Sequence, residues 1–258
     1  MPTSRLTSLA LAGALLAAAP VHAEDKKDDS IIPGDFSATV TLTSDYTFRG
    51  ISQTDSGPAI QGAIDYSYTF NPAIGLYAGV FGSNVDFDDG DEANLELDLY
   101  AGLKGEISGF IWQAGVIHYA YPGAEVGDVH YNFTELAAKL GYDFDFVLLT
   151  GGVNYSWDYF FETGDSLYVS ADASVPLKFL PYDIALGLHA GHQSIEDNAR
   201  FGAPDYYDWS VGISGKVQGF VLAVTYVDTD IKKSECFPGS GLTKTCEGRA
   251  VFSISRSF

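Results

Sequence analysis

Three groups of residues in the sequence have side-chain types and spacings that could do chemistry. His192-Gln193-Ser194 sets an imidazole and a hydroxyl two positions apart. On an extended strand such positions share a face, so the His could draw the proton from the Ser and make it a nucleophile. The run Asn84 to Glu96 (NVDFDDGDEANLE) is dense in carboxylates. A calcium loop needs Gly at its sixth position and Glu at its twelfth. Counting from Asp86 puts Asp91 sixth, and counting from Asn84 puts Asp89 there, so the frame fails. Cys236 and Cys246 are the third group. Two Cys without a nearby His do not make a structural zinc site, whereas in an oxidising compartment they make a disulfide, a loop staple worth on the order of 3 kcal/mol. No Gly-rich phosphate loop, metalloprotease pair or dinucleotide fingerprint is present, so no catalytic residue, metal or cofactor is expected.

The elements that would hold these residues follow from composition and period. The chain has 258 residues, 14 Lys+Arg against 34 Asp+Glu and a net charge of −20. That balance argues against nucleic acid as a partner, because phosphate binding runs on Lys and Arg. With 16 Tyr, 17 Phe, 28 Gly and 1 Met, the chain is too aromatic to be disordered and points to strands and turns. At the amino terminus Arg5 precedes an apolar run, Leu9 to Ala19, and then Val21-His22-Ala23. This is the pattern of a secretory signal peptide over residues 1–23, since a membrane-spanning helix needs about 20 apolar residues. Residues 24–34 (EDKKDDSIIPG) open with a polar run and are expected to be a flexible lead-in, with the folded part at 35–258.

From Phe36 onward the period is two. Phe36, Ala38, Val40, Leu42, Tyr46 and Phe48 occupy one face, and Ser37, Thr39, Thr41, Thr43, Asp45, Thr47 and Arg49 the other. The pattern recurs about twelve times, although 110–121 is apolar on both faces and its register stays open. Short connections near 71–73, 105–109, 143–145, 176–181 and 218–219 alternate with longer acidic ones at 51–58, 86–94, 122–130, 158–165, 194–207 and 231–248. Aromatics fall near both ends of the strands: Tyr68, Phe70, Phe110, Trp112, Tyr142, Tyr182 and Phe220 beside short turns, and Tyr46, Phe48, Tyr155, Trp157, Trp209 and Tyr226 beside long loops.

Together these features describe an all-β chain, a transmembrane antiparallel up-and-down β-barrel of about twelve strands with both termini periplasmic. In hydrocarbon every backbone N–H and C=O needs an internal partner, so strands can cross only as a closed barrel. The wet face then lines the lumen. Its predicted pore-lining charges are Asp45, Arg49, Asp65, Glu96, Asp98, Lys104, Glu135, Lys139, Asp172 and Asp183, seven acidic and three basic. Burying that set in a dry core would be prohibitive, which argues against a soluble barrel.

A family resemblance covers nearly the whole of the chain after residue 23. Ser44-Asp45-Tyr46-Thr47-Phe48-Arg49-Gly50-Ile51-Ser52-Gln53 followed by Pro58-Ala59-Ile60-Gln61-Gly62 resembles the opening of the TorF-type porins of proteobacteria. Gly75 to Gly79, Ser83 to Asp86, Leu95 to Gly102, Tyr121 to Gly123, Gly164 to Tyr168, Tyr207 to Trp209 and Phe252 to Phe258 continue it. The terminal strand closing on Phe258 resembles the assembly signal read by the outer membrane's barrel-assembly machinery, with Arg256 as a departure. The His-x-Ser pair resembles that of outer-membrane phospholipases and lipid A deacylases, but Ser210 follows Trp209 where such an enzyme shows Asn.

The expectation is an outer-membrane channel passing small solutes or ions passively. It would be narrow, cation-preferring and surrounded by membrane lipid and lipopolysaccharide. A lipid hydrolase using Ser194 and His192, or a structural or receptor barrel, is the alternative.

Overall fold

The alternation read in the sequence becomes the wall of a cylinder. The computed structural model describes residues 32–87, 93–126 and 129–258. The signal peptide expected at 1–23, most of the lead-in at 24–34 and the centre of the acidic run at 88–92 lie outside the described residues. The described residues form one closed barrel of twelve strands. They are β1 (Asp35–Thr43), β2 (Ala59–Asn71), β3 (Ile74–Asn84), β4 (Leu95–Ile107), β5 (Phe110–Ala120), β6 (Phe133–Asp143), β7 (Leu148–Ser156), β8 (Ser166–Pro176), β9 (Ala185–Ile195), β10 (Tyr206–Val217), β11 (Phe220–Thr229) and β12 (Arg249–Ser257). Each pairs antiparallel with its sequence neighbour, and β1 closes on β12 from Thr39↔Ser257 to Thr43↔Ser253. Strands of nine to thirteen residues are long enough for a tilted crossing of a bilayer's ~30 Å hydrocarbon core.

Connections at one end of the barrel are short: 72–73, 108–109, 144–147, 177–184 and 218–219. Those at the other end are long: 44–58, 85–94, 121–132, 157–165, 196–205 and 230–248. The start of β1 and the end of β12 both lie at the short-turn end.

The apolar face points outward. Val40, Leu42, Ile60, Ile64, Leu99, Leu103, Leu136, Leu140, Val211, Ile213, Leu222 and Val224 are all exposed on the outside, with Leu99 at 56 %. In water this would be a very large apolar surface; against lipid it is the stable arrangement. β5, apolar on both faces in the sequence, takes a definite register here. Gln113, Ile117 and Tyr119 turn inward, and Phe110 and Val116 turn outward.

Large inward side chains close the gaps between strands. Tyr77 on β3 reaches across β4 and β5, where Gly102 and Gly115 leave room for its hydroxyl that a Cβ at either position would fill.

One segment departs from the sequence reading. The alternation of 36–49 predicts a single long strand, yet β1 ends at Thr43 and the chain leaves the wall. Residues 44–58 fold into the lumen as a loop carrying a small antiparallel ladder, Thr47–Phe48 with Ile51–Ser52. Tyr46 and Phe48 are therefore not part of an outward aromatic band. The band beside the long loops keeps Tyr155, Trp157, Trp209 and Tyr226, all exposed. Asp183 also departs: it stands exposed in the 177–184 turn at φ 47, ahead of β9 rather than on it.

Candidate functional site

The inward-folded loop and the lumen it crosses form the candidate site. At the loop's tip Arg49 (φ 47) and Gly50 (φ 82) both take left-handed backbone, the pattern of a two-residue type I′ hairpin turn. A side chain at Gly50 would also meet Thr229 on β11 and Asp208 on β10, so the tip is pressed against that wall.

Arg49 holds the tip in place. Its Nη2 donates to Glu135 Oε2 on β6 at 2.7 Å, and its Nη1 donates to Gln193 Oε1 on β9 at 2.7 Å. The guanidinium lies 4.2 Å from the ring centroid of Tyr168 on β8 and 4.6 Å from that of Phe48. Left-handed backbone costs a non-glycine residue about 1–2 kcal/mol. Two charge-assisted hydrogen bonds at about 1.5–3 kcal/mol each outweigh it. Burial alone would weaken the Arg49 charge, but Glu135 and the surrounding tyrosines raise its pKa, so it stays a cation.

The partners are themselves fixed. Glu135 Oε2 also accepts from Asn154 Nδ2 at 2.9 Å, and Gln193 Nε2 donates to Ser166 Oγ at 3.0 Å. Glu135 and Gln193 are both fully buried.

The root of the loop is tied separately. Tyr46 donates its hydroxyl to Glu96 Oε1 on β4 at 2.5 Å, and Tyr121 donates to Glu96 Oε2 at 2.6 Å. Burial, and after it the Glu96 carboxylate, keeps the Tyr46 hydroxyl well above its ordinary pKa, so it remains a donor. Asp45 Oδ1 accepts from Ser52 and Thr54, and Asp45 Oδ2 from Arg249 Nη1 at 2.9 Å. Arg249, the first residue of β12, donates in addition to Ser56 Oγ and to the carbonyls of Lys244, Thr245 and Glu247. It thereby joins the inward loop to the 230–248 loop, which the Cys236–Cys246 disulfide closes. Aromatic rings from three other long loops, Phe87, Tyr121, Tyr131, Phe160 and Phe161, pack together in tilted and edge-to-face pairs.

Further along the lumen the polar groups belong to the wall. His189 on β9 stands between two carboxylates, with Nδ1 2.7 Å from Asp172 on β8 and Nε2 2.8 Å from Asp208 on β10. Tyr100 donates to Asp65 at 2.6 Å. Toward the short-turn end there is a cavity of about 140 Å³, lined among others by Asp35, Lys104, Gln113 and Lys139.

Of the ten charges predicted to line the lumen, nine stand on inward positions of the wall or in the inward loop. Asp45, Arg49, Glu96, Asp98 and Glu135 gather at the long-loop end, Asp65 and Asp172 in the middle, and Lys104 and Lys139 beside the cavity; Asp183 stands apart in its turn. Gln193, Tyr168, His189, Asp208, Gln113 and Arg249 were outside that set. Strand parity was the signal that could have found them, because each shares a face with inward charges. In His192-Gln193-Ser194 it is the middle residue that turns inward. His192 faces outward and packs against the Tyr207 ring at 4.4 Å, and among the described residues no hydrogen bond joins it to Ser194.

A closed antiparallel cylinder, apolar outside and polar inside, is the fold of a transmembrane β-barrel, and it resembles outer membrane channels. Solved structures with this fold include the COG4313 outer membrane channel from Pseudomonas putida F1, at 15% identity and TM-score 0.53 over 91% of this chain and 99% of that one. NanC porin is similar at 8% identity and TM-score 0.51 over 87% and 99%. A Pseudomonas aeruginosa FadL homologue is similar at 10% identity and TM-score 0.52 over 86% and 90%. At such identities the likeness is one of fold. A search among curated proteins gives no match. Residues 27–258 match the family described as "Bacterial protein of unknown function (Gcw_chp)", and the chain belongs to that family.

Proposed function

We propose that this barrel lies in the Gram-negative outer membrane and is a narrow channel for small solutes, held shut by loop 44–58. The observation that carries the reading is the Arg49 bridge, which fixes the tip of a loop rooted between β1 and β2 to Glu135 on β6 and Gln193 on β9 across the lumen. Twelve strands fall between the eight that side chains can fill and the sixteen that leave a wide pore. In a bore of that size one inward loop is enough to stop flow. The fold of the similar channels and the resemblance to TorF-type porins support transport over catalysis, with membrane lipid and lipopolysaccharide outside, the barrel-assembly machinery inserting it, and both termini periplasmic.

The predicted lining charges, Asp183 aside, still lean acidic. Where the loop crosses, Glu135 Oε1 and Asp98 Oδ1 have no hydrogen-bond partner among the described residues. An opened lumen therefore favours cations.

The test is planar-bilayer recording on the full chain and on a variant with residues 46–53 replaced by a short Gly-Ser linker. The expected result is small or rare openings in the wild type and steady, cation-selective current in the variant. No conductance from a folded variant overturns the channel reading, and an anion-selective reversal potential overturns the charge argument.

A further inference from the structure

Inward residues form a row of direct cross-strand partners along the wall. Thr69 on β2 faces Gly75 on β3, Gly75 faces Lys104 on β4, and Lys104 faces Gln113 on β5. Gln113 faces Lys139 on β6, Lys139 faces Gly152 on β7, and Gly152 faces Ser170 on β8. Read across the strands the order is hydroxyl, glycine, lysine, carboxamide, lysine, glycine, hydroxyl, the same in both directions.

Neighbouring strands lie about 4.7–4.9 Å apart, so the two lysine backbones are about 10 Å apart with Gln113 between them. Their stems are long enough to converge over the carboxamide. Gly152 keeps the space beside one stem clear; a Cβ there would stand 3.6 Å from Lys139 Cε. Lys104, Gln113 and Lys139 all line the 140 Å³ cavity.

Neither lysine makes an ion pair among the described residues, and two of the carboxylates near the row already hold donors. Asp65 accepts from Tyr100, and Asp172 accepts from His189 and Thr150. Asp35 also lines the cavity, from β1, and faces the row across it. Two lysines on either side of a carboxamide on adjacent strands, in a water-accessible pocket that Thr69 also lines, are the complement of a compact oxyanion.

We propose that Lys104, Gln113 and Lys139 form a binding subsite in the lumen for a small oxyanion, a carboxylate or a phosphate. The subsite deepens the channel reading and rests on it for its role: it would hold an anionic solute at the short-turn end of a lumen that is acidic at its long-loop end.

The experiment is isothermal titration of the detergent-folded full chain with inorganic phosphate and, separately, with acetate, at constant ionic strength. Saturable binding of either is expected, weakened at least tenfold in Lys104→Gln/Lys139→Gln. Binding should survive in Lys104→Arg/Lys139→Arg and in Lys216→Gln, which removes an inward lysine outside the row. Gel mobility with and without heating checks that each variant is a folded barrel. Absence of saturable binding in the wild type, or equal binding in the glutamine pair, overturns the subsite. Bilayer current is recorded on the same preparations. Current without oxyanion binding removes the subsite and leaves the channel standing, whereas binding without current from the loop-replaced variant removes the channel and leaves the subsite.

Discussion

Arg49 and Glu135 stand 86 residues apart in sequence and 2.7 Å apart in space, the first at the tip of a loop and the second on the opposite wall. Both side chains are buried, and each is the other's countercharge. That dependence makes the contact a latch. It holds the loop in the bore, and its loss should be felt both in stability and in flow.

Arg49→Ala leaves the Glu135 carboxylate buried without its cation. Breaking such a pair costs about 3–5 kcal/mol, and the variant should unfold at correspondingly lower urea. Its channel activity should rise. Arg49→Met combined with Glu135→Gln removes both charges and should recover much of the stability while keeping the bore open. Urea titration followed by tryptophan fluorescence reads the first effect and single-channel recording the second. Equal currents from wild type and both variants would remove the loop from any gating role.

Gly50→Val attacks the same latch without touching a charge. The position has φ 82 and lies against Thr229 and Asp208, so a branched side chain is both strained and blocked. Because the wall is untouched, the cylinder should still form and show its shift in gel mobility on heating. The loop should be displaced, and current should rise above wild type.

Cys246→Ser, or mild reduction, opens the 230–248 loop at a loss of up to about 3 kcal/mol of local order. Arg249 binds the carbonyls of residues 244, 245 and 247, on both sides of Cys246, and through Asp45 it ties that loop to the inward one. Faster proteolysis within 230–248 is expected, together with more frequent channel openings. If cleavage rates are the same with and without reductant, the staple is not what orders the loop.

Leu99→Arg tests which side of the wall faces lipid. Leu99 is outward in mid-strand, where a basic side chain costs about 2–4 kcal/mol in a bilayer. Thr225→Lys, on the inward face of β11, should cost far less. Folding yield into lipid vesicles compares them, and the opposite ranking would turn the barrel inside out.

Most of the wall was legible because two-residue alternation is a strong and redundant signal: Leu95 to Leu103 or Leu167 to Val175 reads one way only. β5 was not, since Ile117 and Tyr119 are buried in the packed part of the lumen, Ile111 lines the cavity, and none of the three carries the mark of a charged lining residue. The inward loop was hidden for a related reason. Tyr46 and Phe48 continue the parity of Val40 and Leu42, and a ring buried against protein has the same letter as one buried in lipid. Asp183 misled in the opposite sense, because the alternation of Ile184 to Ala190, traced back one residue, runs into a turn whose left-handed backbone the residue letters do not announce. The triplet 192–194 drew attention for its His and Ser, whereas the residue that meets Arg49 is the amide between them.

The closing seam gives this barrel an order of events. Asp45 meets Arg249 only after the last strand has docked on the first, a contact spanning 204 residues. A cylinder still missing β12 lacks one tie at the root of its own cork, with the Tyr46–Glu96 contact to β4 left there. During insertion, then, the bore would be stoppered late, and an incompletely zipped molecule would be a leaky one.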